Sequence, residues 1–230
     1  FRAYEIFGDE KYLQAGLVRA DVIMKAQWPK GHWPWGTRLG ENFVRIQDGF
    51  NNEPFWIMLY AYKLTGDNKY IESATRCADL LLSLQRKNGG WPDQWSFNGK
   101  SSGHSGVKDG VSFNDNATNS CVQMMVAMYH LTGDKKYIAK LALLGDFIKK
   151  SKMGEGKLTG WCEQYHDDGR PVRARQYEIE LPYPRALTRG VGPLLIWLYL
   201  MDGKEGHMNL LLSLIHISEP TRPLYISYAV

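Results

Sequence analysis

Apolar residues recur along the chain in two alternating patterns, both at helical spacing. Tyr70, Ile71, Ala74, Cys77, Ala78, Leu81 and Leu82 follow the i, i+3, i+4, i+7 rule of an amphipathic helix. Tyr137, Ile138, Leu141, Leu144 and Ile148 repeat it. Residues 54–64, 121–131 and 191–201 are instead apolar on most sides, as a buried helix is. Each buried segment runs into one turn motif: Ile6-Phe-Gly8-Asp-Glu-Lys-Tyr12, Leu64-Thr-Gly66-Asp-Asn-Lys-Tyr70, Leu131-Thr-Gly133-Asp-Lys-Lys-Tyr137 and a degenerate Met201-Asp-Gly203-Lys. A tyrosine (Tyr4, Tyr62, Tyr129, Tyr199) precedes each glycine by four residues. In such a turn the glycine ends one helix in a left-handed cap and the aspartate caps the next.

The turn glycines are 58, 67 and 70 residues apart, which leaves room for long loops between the helices. An amphipathic outer ring around a buried inner ring is the requirement of an α/α toroid. The expected fold is therefore all-α: one partial α/α toroid of repeated helix pairs. Its loops, residues 85–115 and 151–187, have the length of functional loops. They carry a second echo, Trp91-Pro-Asp-Gln94-Trp95 against Trp161-Cys-Glu-Gln164-Tyr165, and Trp33-Pro34 follows Gln27 as Trp91-Pro92 follows Gln85.

Counting back from the turn glycine indexes equivalent positions. Eighteen residues before it stand Asp48, Asp115 and Arg185; fourteen before it stand Asn52, Asn119 and Arg189. Each pair is i, i+4 at the start of an inner helix, so both members share a face. The inner helices of a toroid all start at one end of the bowl, where two carboxylates, two amides and two guanidiniums converge. Helix capping would explain the aspartates and asparagines, but a cation is unfavourable at a helix N-terminus. An Asp–Arg structural network is the other bland reading. A site for a polyanion and a metal explains the whole set.

Composition adds one point. Aromatic residues make up 13% of 230 residues, with 8 Trp and 13 Tyr. Trp91 and Trp161, each followed by Gln94 or Gln164, suit stacking on sugar rings and bonding to hydroxyls; core packing is the alternative. Lys and Arg exceed Asp and Glu by 28 to 24, too little to argue for nucleic acid. No apolar run is long enough to cross a membrane. Three cysteines form neither a disulfide framework nor a zinc pattern, and Cys77 and Cys121 read as packing residues. His104, His130 and His166 lack metal-ligand spacing, and no phosphate loop or nucleophilic triad is present.

Two stretches concern the ends. The chain opens on Phe1 inside a repeat unit. Leu212-Ser-Leu-Ile-His-Ile-Ser-Glu-Pro-Thr-Arg222 matches a translated transposase-type sequencing adapter, so a native domain over 1–211 and a foreign tail over 212–230 are expected.

Asn88-Gly-Gly-Trp-Pro92, Ser112-Phe-Asn-Asp-Asn-Ala117 and Arg173-Ala-Arg-Gln-Tyr-Glu178 resemble the pectic acid lyases, a family of helical-toroid pectate lyases, over roughly residues 20–205. The resemblance implies Ca2+-assisted β-elimination of polygalacturonate, with Asp48 and Asp115 at the family's acidic positions near the metal. Asn52 and Asn119 are substrate-binding candidates on the repeat argument, and Arg175, Arg185 and Arg189 would bind substrate if the family's catalytic arginine is lost. Hard Ca2+ prefers carboxylate oxygens, and arginine grips a uronate carboxylate bidentately. The family's catalytic arginine lies in a segment C-terminal to everything here; if the tail from Leu212 is foreign, that segment is lost and the chain as given could bind substrate without turning it over. Arg185 and Arg189 are catalytic candidates on the repeat argument alone. An α/α-toroid glycoside hydrolase using Asp48 and Asp115 as acid and base, and a non-catalytic acidic-glycan binder, are the alternatives. The expected partner is an acidic polysaccharide, with no nucleic acid and no membrane. A monomer, secreted or periplasmic because polymeric pectin cannot enter a cell, is expected.

Overall fold

The computed structural model describes residues 1–34, 40–99, 110–154, 159–174, 180–183 and 186–218, the last six by backbone alone. Helices dominate, in four successive pairs. They are α1 (Arg2–Phe7) with α2 (Glu10–Lys25), α3 (Asn52–Thr65) with α4 (Asn68–Ser83), α5 (Ala117–Thr132) with α6 (Leu141–Lys150), and α7 (Gly192–Asp202) with α8 (Glu205–Ser218). No helix among the described residues is long and apolar enough to cross a membrane.

The turn motif closes each pair in the same way. Gly8, Gly66, Gly133 and Gly203 are all left-handed, with φ of 66°, 70°, 71° and 66°. Each donates its N–H to the carbonyl of the tyrosine four residues earlier at 2.8 Å. Asp9, Asp67 and Asp134 then accept from the backbone N–H of Lys11, Lys69 and Lys136, satisfying donors that a new helix leaves open.

Burial follows the two apolar patterns. Helix α4 hides one stripe, Tyr70, Ser73, Ala74, Cys77, Ala78 and Leu81. Helix α5 is buried from Ala117 to Val122 and again over Met124–Val126. Inner helices α3, α5 and α7 pack in series, α5 touching both neighbours, while α4 bridges α3 to α5 and α6 leans on α7. This is an arc of an α/α toroid. Neighbouring pairs are stapled at one repeated position: Tyr70 donates to Asp21 at 2.8 Å and Tyr137 to Asp79 at 2.9 Å. Burial and the adjacent Asp79 carboxylate push the Tyr137 phenol up to about 12. One expectation is modified. The helix expected from Tyr137 onward is broken into a 3-10 turn, Lys135–Tyr137, and α6. The break lies where the loop before Trp91 presses on Lys140, whose Nζ donates to the Gln85 carbonyl at 3.4 Å.

The long loops are interior struts. Trp33, Trp91 and Trp161 each donate their indole N–H to a carbonyl late in the preceding outer helix: Ile23 at 2.8 Å, Leu81 at 2.7 Å and Ile148 at 2.8 Å. Gln27 and Gln85 donate to the Gly31 and Gly89 carbonyls, folding the two loops alike. Four strands of three residues complete the struts. β1 (Phe43–Arg45) pairs antiparallel with β2 (Gln94–Ser96), and β3 (Gly110–Ser112) with β4 (Gln164–His166). Each two-stranded sheet ties the stretch before an inner helix to the loop after its outer partner. Arg45 faces Gln94, and Ser112 faces Gln164.

Two glycines separate the demands of backbone and space. Gly66 has φ +70° and open surroundings, whereas a Cβ on Gly89 (φ +89°) would collide with the Lys140 carbonyl. Gly66→Ala is expected to lose about 1 kcal/mol from left-handed strain alone. Gly89→Ala adds a backbone clash and should lose at least about twice that. Urea unfolding of both variants checks the order; equal losses would contradict it.

Candidate active site

The sequence immediately before α3 and α5 folds into a turn of unusual backbone. Among the described residues, Asp48 (φ 60°), Asp115 (φ 44°) and Asn116 (φ 60°) are the non-glycine residues with positive φ, and Gly49 (φ 76°) follows Asp48. Asp48-Gly49 and Asp115-Asn116 are therefore the same two-residue left-handed turn in successive repeats. Asp and Asn tolerate this region better than other side chains but still under strain, which structures retain mainly at functional sites. The two turns are bonded to each other: the Asp48 N–H donates to the Asp115 carbonyl at 2.9 Å.

Neither aspartate is a helix cap. The N-caps of α3 and α5 are Asn51 and Asn116, and neither makes a side-chain capping bond. The capping alternative, which holds for Asp9, Asp67 and Asp134, fails here. Asp48 instead forms an ion pair with Arg45, whose side chain is 10% exposed beside a 39% exposed partner.

Asp48, Asn52, Asp115, Asn119 and Arg189, five of the six repeat-indexed positions, line one cleft of about 410 Å³. Glu53, Asn116, Ser120 and Gln123 complete its polar wall. Arg189 sits in a π-helical turn, Ala186–Val191, that leads into α7, and it is exposed at the cleft. It is the cation among the described lining residues. Asn119 is 7% exposed, and its Oδ1 has no hydrogen-bond partner among the described residues; the same holds for Nδ2 of Asn52. Arg185 and Arg175 lie outside the described residues.

The aromatic loop residues are corrected. Trp91 and Trp161 are 0% exposed, with both indole N–H groups spent on helix carbonyls, so neither ring can stack on a sugar. Gln164 is 0% exposed and donates to Asp93 at 3.0 Å, and Gln94 is 6% exposed on β2. These four side chains are buried and are not among the residues that line the cleft. The residues missed were Glu53, Gln123 and Arg45. Glu53 adjoins Asn52, and Gln123 lies one helical turn beyond Asn119, which is the signal that would have found them.

The donor set fits a hard cation. Three carboxylates (Asp48, Glu53, Asp115) and the buried, unpaired amide oxygen of Asn119 share the cleft, and Ca2+ takes such oxygens. No three His, Cys, Asp or Glu side chains among the described residues close around a common point. An ion held here would need oxygens from the ligand as well, as a uronate supplies.

The pectic acid lyase family profile matches residues 49–202, from Gly49 of the first left-handed turn through the end of α7. The chain belongs to the pectic acid lyase family.

Solved structures agree on the fold of this pectic acid lyase family member. It is similar to a family 10 polysaccharide lyase from Cellvibrio cellulosa, with TM-score 0.66 and 19% identity over 85% of this chain and 64% of that one. A mutant of that lyase in complex with trigalacturonic acid gives 0.65 and 21% over 86% and 65%. An unsaturated glucuronyl hydrolase specific for heparin shares the toroid at 0.61 and 19%, over 93% and 57%. The chain thus spans somewhat under two thirds of the length of these lyases. No curated protein sequence matched it.

Proposed function

We propose that this chain is a pectate lyase acting on polygalacturonate by Ca2+-assisted β-elimination. The observation that carries the reading is the convergence of Asp48, Asp115, Asn52, Asn119 and Arg189 on one cleft from three repeats. Family membership and the trigalacturonic acid bound by a lyase of the same fold support an acidic glycan as substrate. Asp48, Asp115 and the Asn119 amide oxygen are the groups that would hold Ca2+. When bound, Ca2+ neutralises the uronate carboxylate and so acidifies the adjacent C–H.

The protein's own residues hold the substrate and stabilise its charge. Asn52 and Gln123 present amides to sugar hydroxyls. Arg189 grips a uronate carboxylate and stabilises the negative charge that grows on it as the α-proton leaves. The α-proton passes to solvent water, the carbon–hydrogen electron pair becomes the new double bond, and the glycosidic oxygen leaves the β-carbon with the C–O bonding pair and takes up a proton from water. A polymeric substrate also supports export of the protein.

The test is to incubate the chain with polygalacturonate in Ca2+ and in chelator, following the ultraviolet absorbance of unsaturated product and, separately, oligogalacturonate binding by calorimetry. Unsaturated product that disappears with chelator is the expected result. Reducing ends without unsaturation or metal dependence would assign the cleft to hydrolysis. Saturable binding without product would make this chain a glycan binder.

A further inference from the structure

Beneath the cleft lies a buried carboxylate that the lyase chemistry does not use. Asp93, 2% exposed, stands between Trp91 and β2. Its backbone carbonyl accepts from the N–H groups of Ile46 at 2.9 Å and Gln47 at 3.1 Å, the residues just before Asp48. Its carboxylate has two arms. One goes to Gln47, whose amide, in the orientation that satisfies both ends, donates to Asp93 Oδ2 at 3.0 Å and Oδ1 at 3.2 Å. The Gln47 oxygen then accepts from Arg45 Nη2 at 2.8 Å, and Arg45 pairs with Asp48. The other arm reaches the next repeat, where Gln164 donates to Asp93 Oδ2 at 3.0 Å. Gln164 sits opposite Ser112 on β3, the strand that leads into the Asp115 turn.

We infer that Asp93 is a positioning residue that sets where Asp48 and Asp115 stand relative to each other. A carboxylate in an interior carries a heavy desolvation cost, and an amide or apolar residue would fill the same space at less. What an acid adds is acceptor capacity in two directions at once: two oxygens able to hold Gln47 in one repeat and Gln164 in the next. Both glutamines are interior, at 5% and 0% exposure, so bulk solvent does not compete for these bonds. Asp93 thereby joins the two left-handed turns from below, as the Asp48 N–H to Asp115 carbonyl bond joins them from above. The repeat supports the scheme, since Glu163 occupies the equivalent place and its carbonyl accepts from Phe113 N–H at 2.8 Å. The role assigned to Asp93 at the metal rests on the lyase reading; its hold on the turns does not.

The experiment compares Asp93→Asn with Ser73→Ala, a buried control whose hydroxyl donates to Gln27 far from the cleft. Hydrogen exchange of the Asp48 amide reports the bond between the turns, and calorimetric titration with Ca2+ and oligogalacturonate reports the site. Asp93→Asn is expected to speed Asp48 exchange at least about tenfold and to raise the half-saturating Ca2+ concentration about 10- to 100-fold, the usual span for outer-shell partners of a metal site. Ser73→Ala should lower the melting temperature while moving neither. Unchanged Asp48 exchange and Ca2+ response in a destabilised Asp93→Asn would overturn the inference. Should that variant not fold, Gln164→Leu removes the arm to the second repeat while keeping Asp93 and Gln47, and is judged by the same two readouts. If the wild-type chain takes up no Ca2+, the lyase reading fails, and Asp48 exchange alone decides the positioning role.

Discussion

Asp115→Asn is expected to abolish calcium-dependent cleavage of polygalacturonate, by about 10²- to 10³-fold in kcat/KM, while leaving the fold intact. The two halves of that expectation rest on different properties of one residue. Asp115 holds φ 44°, a conformation that asparagine adopts as readily as aspartate. The backbone bond from Asp48 ends on the Asp115 carbonyl, which the substitution leaves in place. Stability should therefore stay within about 0.5 kcal/mol of wild type. Only the charge is removed, and with it an oxygen suited to a hard cation. Alanine would be a poorer probe, because it adds roughly 1–2 kcal/mol of left-handed strain to the loss of charge. Kinetics across a range of Ca2+ concentrations, with thermal unfolding alongside, make the measurement. An Asp115→Asn enzyme with activity within about threefold of wild type would remove the carboxylate from the mechanism.

That Asp115 could be singled out at all follows from repetition. Four turns with the same Tyr, Gly and Asp impose the same cap geometry, so counting back from glycine transferred a position in sequence to a position in space. Asp48, Asn52, Asp115, Asn119 and Arg189 share a cleft for that reason. The left-handed backbone at Asp48-Gly49 and Asp115-Asn116 went unread, although Asp-Gly and Asp-Asn are turn dipeptides. Other features left weaker traces. Strands of three residues are too short for period-two alternation to register, so β1 to β4 were hidden inside loops. The Asp93 linkage joins residues 47, 93 and 164 through side chains alone, and no spacing rule connects them.

The repeated tryptophans show the limit of the same method. A motif recurs in every unit when each unit must bind, but also when each unit must close its own core. Sequence spacing is identical in the two cases. What decides is exposure, and the indoles of Trp33, Trp91 and Trp161 are plugs that end on outer-helix carbonyls.

The largest stability effects are accordingly expected at Trp91 and Trp161. Truncation to alanine in a core typically loses about 3–5 kcal/mol, and the carbonyl of Leu81 or Ile148 also loses its indole partner. Against a total of about 5–15 kcal/mol for a domain, either variant approaches unfolding at ordinary temperature. For a chain of this size the melting temperature should fall by roughly 6–20 °C. Trp91→Phe keeps an aromatic plug and forfeits mainly the N–H bond, so its loss should be about 1–2 kcal/mol. Oligogalacturonate binding discriminates the alternatives. If these rings were sugar platforms, Trp161→Ala would hold its melting temperature and bind more weakly by tenfold or more. As core plugs they should do the reverse: the folded fraction of Trp91→Phe should bind with unchanged affinity, because the Trp91 ring is fully buried and its N–H ends on the Leu81 carbonyl.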